Sequence, residues 1–302
     1  MKPLTNPLTR TNLADNVYRP NPKTPVTIII GIICESAIVL ASDSQTTYSN
    51  SLGANRRMDT PKISILEFED GEAFVAESGD ATLSGRAVEI LSRMAKGTKL
   101  SDYRTVADLS QKAIRQVKDE LREQNFDCSM AELREYMMKS DLNFSLMLAH
   151  YHNGKPYIYT VDFALGIATL STHSYAAIGC GRGLALYILD WFNLGPETYF
   201  SEATMAAMYA VEEVKKVDSN CGGKTRVGII SAKMIPPPGK TRLEMLQLML
   251  ENDNEEYVNA LAQVDKEAKL EWAKRMRFVL AAGNKAMDAR AAEIKLKKNA
   301  TN

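Results

Sequence analysis

The sequence predicts an α+β chain built as a four-layer αββα sandwich: two antiparallel sheets face to face, flanked by helices, with a helical C-terminal extension. Two observations carry this. Apolar runs of strand length come in pairs separated by turn residues, and helix-period segments arrive two at a time between them, giving the order strands, two helices, strands, two helices, strand. Regular βαβ alternation is missing, which argues against a parallel doubly wound sheet.

Taken in order, residues 1–26 are rich in Asn, Pro and Thr with few large apolar side chains, and read as an extended arm. At Val26 the texture changes to VTIIIGIICESAIVLASDSQTT, two β-branched runs split at Glu35-Ser36, which reads as a hairpin buried on both faces. A polar loop is expected over Asn50 to Thr60. KISILEF and EAFVAES, joined by Glu69-Asp70-Gly71, form a second hairpin. Leu83, Val88, Ile90, Leu91 and Met94 then fall at helical spacing between Gly79 and Met94, and Thr105 to Gln124 repeats the pattern. A meander is predicted over NFSLMLAHYHNGKPYIYTVDF, turned at Asn153-Gly154, with SYAAIGC as its third strand. Helices follow at Gly183–Phe192 and Ser201–Val217, the latter with Ser201 as N-cap, and RVGIISAKMI supplies the last strand. The main domain is thus placed at 27–238. Residues 239–302 carry many helix formers of mixed charge and are read as two or three further helices.

The bulk properties narrow the function classes. The chain has 302 residues and a formal net charge of zero, from 37 basic and 37 acidic side chains, so neither nucleic acid nor an anionic membrane surface is an expected partner. No run approaches signal-peptide or membrane-span character, and the cytoplasm is the expected compartment. Cys34, Cys128, Cys180 and Cys221 lie far apart without a CxxC pair; free thiols are expected, with neither a metal site nor a cofactor.

Several local motifs fail on inspection. Gly222-Gly223-Lys224-Thr225 resembles the end of a phosphate-binding loop, but Asp218 stands where that loop needs glycine. Gly179-Cys180-Gly181-Arg182-Gly183 lacks the remainder of a dinucleotide fingerprint and reads as a strand-to-helix turn. His150 and His152, two apart near a hairpin turn, read as a solvated rim. With His173 as the only other histidine, a histidine-based catalytic system is poorly supplied, and a hydrolase built here needs a nucleophile that works without one.

A set of spaced blocks answers that need. Thr27 is followed after three residues by Gly31 and, sixteen residues on, by Asp43; then come Lys62-Ile63, Ala76-Glu77-Ser78-Gly79-Asp80-Ala81, Tyr175 to Gly181 around Cys180, and Asp218 to Gly223 around Cys221. In order and spacing these resemble the β subunits of proteasomes, which are N-terminal-nucleophile hydrolases, over about residues 26–235. The resemblance implies a threonine-type endopeptidase in which Thr27, exposed by removal of the arm, is the nucleophile. Asp43 and Lys62 would support it, and Asp218, Cys180 and Cys221 would complete the site. It further implies Ala76 as the backbone oxyanion donor, Thr47 as the backbone partner of the substrate strand, and Phe74 as a wall of the first specificity pocket. Like subunits in a ring or double ring, an ATP-dependent unfoldase and unfolded polypeptide substrate are the implied partners.

This chain departs from the family pattern at three places. Val26 precedes Thr27 where processed members have glycine, and Cys180 and Cys221 stand where the family has serine. Two alternatives therefore stay open beside the peptidase: a catalytically silent ring subunit that keeps its arm as scaffold or gate, and an amidase of small molecules using the same nucleophile.

Overall fold

The computed structural model describes residues 27–49, 55–124 and 143–231, apart from Ser36, with a few isolated positions at 129–135 and 241–244. The arm before Thr27, the Pro-rich segment after Ile235 and the C-terminal helices expected beyond Gly239 lie outside the described residues.

The first sheet is four-stranded. β1 (Ile28–Ile33) and β2 (Ile38–Asp43) form the expected hairpin, and β10 (Tyr175–Gly179) and β11 (Thr225–Ile230) flank it in the order β10-β1-β2-β11. Nearly every side chain of β1 and β2 is buried, because helices cover one face of this sheet and the other sheet covers the second. The second sheet runs β5 (Ile63–Phe68), β6 (Gly71–Gly79), β7 (Phe144–His152), β8 (Lys155–Asp162) and β9 (Ile167–Leu170), all antiparallel. Its β7–β8 turn uses Asn153 at φ 50° and Gly154 at φ 73°, the left-handed pair that a two-residue hairpin favours.

α1 (Ala81–Lys96) and α2 (Thr105–Gln124) pack on the second sheet, and α3 (Arg182–Asp190) and α4 (Phe200–Val217) on the first. Asp80 starts α1 by accepting the amides of Thr82 and Leu83. Three apolar clusters correspond to the three interfaces between layers. Ile28, Ile30 and Val39 meet Ala206, Ala210 and Val214 of α4; Ile29, Leu40, Phe74, Met147 and Ile158 fill the space between sheets; Val75, Leu146 and Leu148 meet Ile90, Leu91 and Ile114. Alternate residues of one strand thus feed different cores, which is the period-2 rule applied to a sheet covered on both sides. Gly31 permits the close sheet-to-sheet approach, since a Cβ there would lie 2.7 Å from Met147 Sδ.

The α+β sandwich is as the sequence predicts, with four corrections of detail. The loop expected over Asn50 to Thr60 contains a strand, β4 (Asn55–Asp59), which pairs with β3 (Gln45–Ser49) just before it as a separate two-stranded sheet. SYAAIGC is not the third strand of the meander; β9 takes that place and β10 crosses to pair with β1. The last helix starts at Phe200 with Tyr199 at its N-cap, so Ser201 lies inside it. His150 is fully buried instead of solvated, with its ring Nε2–H donating to the carbonyl of Tyr103 at 3.0 Å. Burial lowers its pKa to about 4. Among the described residues no helix is long and apolar enough to cross a membrane.

Candidate active site

The site lies where β1 begins, β2 ends and β5 begins. Thr27 immediately precedes β1 and Asp43 closes β2, the antiparallel neighbour of β1, so strand pairing brings two residues sixteen apart in sequence to the same end of the sheet. Lys62 directly precedes β5 in the other sheet and crosses the gap between them. Its Nζ lies 2.8 Å from Thr27 Oγ1 and 2.8 Å from Asp43 Oδ1. All three side chains are buried, with Thr27 4 %, Asp43 0 % and Lys62 5 % exposed.

Such burial requires compensation, because removing a charge from water costs several kcal/mol even after relaxation. Asp43 receives it from three donors: the Lys62 ammonium, the Ile28 amide at 3.0 Å onto Oδ1 and the Gly222 amide at 3.1 Å onto Oδ2. Desolvation nevertheless dominates and holds its carboxyl above the ordinary 3.8, while the Lys62 charge and these hydrogen bonds pull it down. Lys62 donates to Thr27 Oγ1, so the hydroxyl proton is left to point elsewhere.

A second group closes over Thr27 from the other side. Cys180 sits in the turn between β10 and α3, and Asp218 to Cys221 form the turn between α4 and β11. The Cys180 thiol lies 3.5 Å from the Thr27 carbonyl oxygen, 3.1 Å from Asp218 Oδ2 and 3.7 Å from Cys221 Sγ. The Cys180 contact and burial together push the Cys221 thiol well above the ordinary thiol range. Gly179 is fixed here by geometry: at φ 98°, a Cβ on it would sit 1.9 Å from the Thr27 carbonyl oxygen. Asp218 therefore reaches Thr27 through Cys180. One ligand atom each from Cys180, Asp218 and Cys221 lie within 4.8 Å of one another, so the residues that sequence spacing set apart form a set able to hold a metal.

The remaining sequence-predicted residues are placed differently. Ala76 is fully buried within β6 between Ile63 of β5 and Met147 of β7. The Glu77 amide donates to the Lys62 carbonyl at 3.0 Å and the Asp80 amide to Asn143, so alternation along the strand turns the Ala76 amide toward β7. In this structure it is a ladder group, which corrects its assignment as oxyanion donor. Phe74 has no exposed surface and packs in the core between the sheets, so it is a core side chain and not a pocket wall. Thr47 lies in β3 opposite Arg57 of β4. Sequence reasoning gave no role to Glu77, whose carboxyl is held above its ordinary range by burial and is drawn down by a Ser84 hydrogen bond and by the charge of Lys62. Its Oε2 is buried without a hydrogen-bond partner. Only its register opposite Lys62, one step beyond Ile63↔Ala76, could have drawn attention to it.

Four layers in αββα order, with a buried threonine just before the first central strand and a lysine–aspartate pair beside its hydroxyl, place the chain among the four-layer α+β sandwich proteins. The chain belongs to the proteasome subunit family, whose model matches residues 26–230. Solved structures with the same fold include Anbu, the ancestral β-subunit, from Yersinia bercovieri, at 16 % identity and TM-score 0.54, covering 78 % of this chain and 97 % of that one. The Anbu complex of Pseudomonas aeruginosa, described as a helical assembly, matches at 16 % identity and TM-score 0.56, covering 79 % and 96 %. A Gly-1 mutant of Anbu from Hyphomicrobium sp. strain MC1 matches at 13 % identity and TM-score 0.54, covering 80 % and 96 %. No curated protein matches the chain.

Proposed function

We propose that this chain is a threonine-type endopeptidase subunit whose activity depends on removal of the residues before Thr27. The observation that carries the reading is the position of Lys62 Nζ, 2.8 Å from both the Thr27 hydroxyl and the Asp43 carboxylate in a buried setting. Once Thr27 is N-terminal, its α-amine has an unperturbed pKa of about 8, and the neutral amine takes the hydroxyl proton directly or through water. The nearby ammonium of Lys62 stabilises the developing alkoxide, and Asp43 holds that ammonium in place. Oγ1 attacks the scissile carbonyl, the peptide C–N bond breaks, and the leaving amine takes up the proton held by the α-amine. Water then hydrolyses the ester on Thr27.

The same reading assembles like subunits into a ring or double ring in the cytoplasm, fed with unfolded polypeptide by an ATP-dependent unfoldase. Support for self-assembly comes from the P. aeruginosa neighbour, whose Anbu complex is a helical assembly. A second reading, a silent subunit that keeps its arm, is favoured by Val26 preceding Thr27 and by the 4 % exposure of Thr27.

Intact-mass measurement combined with turnover of an unfolded protein and of a small acyl amide separates the readings. The peptidase predicts loss of residues 1–26, polypeptide cleavage, and abolition of that cleavage in Thr27→Ala. A full-length chain with no turnover by the wild type supports the silent subunit, and turnover of the acyl amide alone supports the amidase.

A further inference from the structure

We propose that Cys180, Cys221 and Asp218 form a binding site for a divalent cation of the zinc type, with Thr27 beside its fourth position. The distances match what such an ion demands. With Zn–S bonds of about 2.3 Å, two thiolates at the tetrahedral angle lie about 3.8 Å apart, and Cys180 Sγ and Cys221 Sγ are separated by 3.7 Å. A thiolate and a carboxylate oxygen sharing the same ion lie about 3.6 Å apart, and Cys180 Sγ lies 3.1 Å from Asp218 Oδ2, a difference that a small rotation of the carboxyl absorbs. The three donor atoms lie within 4.8 Å of one another.

The surroundings prepare these ligands. Asp218 Oδ1 accepts the Asn220 amide at 3.1 Å, which fixes the carboxylate and leaves Oδ2 for the ion. The Cys221 amide donates to the Asp218 carbonyl at 3.0 Å, locking these two ligands into one tight turn. Cys180 and Asp218 are only partly buried, which gives an ion a path in. Two thiolates and one carboxylate favour a borderline-soft ion over Mg2+ or Ca2+. On binding, the two thiols release their protons to solvent, and an S–Zn bond forms at each sulfur.

Three protein ligands leave a fourth position for water or another donor. Thr27 is the adjacent residue, with its carbonyl oxygen 3.5 Å from Cys180 Sγ. An ion here joins the β10–α3 turn to the α4–β11 turn at the head of β1. The inference stands on this geometry and does not require the peptidase reading, so binding is measured without any assay of activity.

Full-length protein, reduced and stripped with a chelator, is titrated with Co2+ and then Zn2+. The expected result is a tetrahedral cobalt spectrum with an ultraviolet sulfur-to-metal charge-transfer band, displaced by Zn2+. It should be absent in the Cys180→Ser/Cys221→Ser double variant. Each single variant should weaken binding by more than the roughly 10–100-fold that loss of an outer-shell partner costs. Should the variants fail to fold, alkylation mapping of the wild-type chain decides: Zn2+ should protect Cys180 and Cys221. A charge-transfer band that survives in the double variant, a spectrum without thiolate ligation, or alkylation that Zn2+ leaves unchanged overturns the proposal. So does a Cys180–Cys221 disulfide forming in place of metal uptake by the reduced protein.

Discussion

Replacing Lys62 by Met tests whether the buried ion pair organises the site. At 2.8 Å, two unit charges attract by about 6 kcal/mol gross at an effective dielectric constant of about 20. Asp43, fully buried, keeps two backbone donors in the variant, Ile28 and Gly222, so part of its compensation survives. The net loss expected at neutral pH is about 3–5 kcal/mol, the usual consequence of leaving one partner of a buried pair uncompensated. The pH dependence has a defined sign. Asp43 has a folded pKa raised above 3.8, so it binds its proton more readily in the folded state. Its contribution is fully present below 3.8 and is lost as pH rises through the folded value. Removing Lys62 takes away the strongest downward pull and raises that value further, so the gap between variant and wild type is widest near neutral pH and narrows toward acid. Denaturant unfolding of both proteins across this range reads the gap directly. Adding Asp43→Asn to the variant should recover at least half of the loss. A deficit below about 1 kcal/mol, or one that does not change with pH, refutes the argument.

Three further outcomes follow from the packing. Gly179→Ala forces a Cβ against the Thr27 carbonyl oxygen at a left-handed backbone position and should destabilise the protein by about 2 kcal/mol or more, seen as a lower melting temperature. Phe74→Ala empties a fully buried site between the sheets and should cost about 3–5 kcal/mol by denaturant unfolding, against the near-neutral effect expected of a pocket wall. His150, with a folded pKa of about 4 against an ordinary 6.5, contributes stability that is present above 6.5 and is lost as pH falls toward 4, amounting to about 3 kcal/mol. His150→Phe should flatten that part of the stability profile, measured by unfolding at a series of pH values.

What the sequence disclosed follows from how local each signal is. The β1–β2 and β7–β8 hairpins were legible because their β-branched runs and the Asn153-Gly154 turn specify pairing within a few residues. The β3–β4 pair was not, since QTTYS and NRRMD carry no apolar alternation. The sheet to which β10 belongs is also not a local property, because its partner β1 lies some 150 positions earlier. Thr27, Asp43 and Lys62 are ordinary residues one by one, and only their joint spacing, read through the family resemblance, singled them out. Cys180 and Cys221 were singled out by the same resemblance, but not as a close thiol pair, because ligand spacing rules rest on residues a few positions apart and these two are brought together by neighbouring turns 41 residues apart.

The crossing of β10 to the edge of β1, and of β11 to the edge of β2, has a consequence for biosynthesis. Ile28 pairs with Gly179, and Asp43 with Thr225. While the ribosome is still extending the chain, the β1 edge of the first hairpin therefore waits until β10 has emerged at Tyr175–Gly179, and the β2 edge waits longer, until β11 has emerged at Thr225–Ile230. The head of β1 is thereby finished late: a chain that stops short of the turn before β11 lacks the Gly222 amide that donates to Asp43, so such nascent fragments hold that buried carboxylate with one donor fewer.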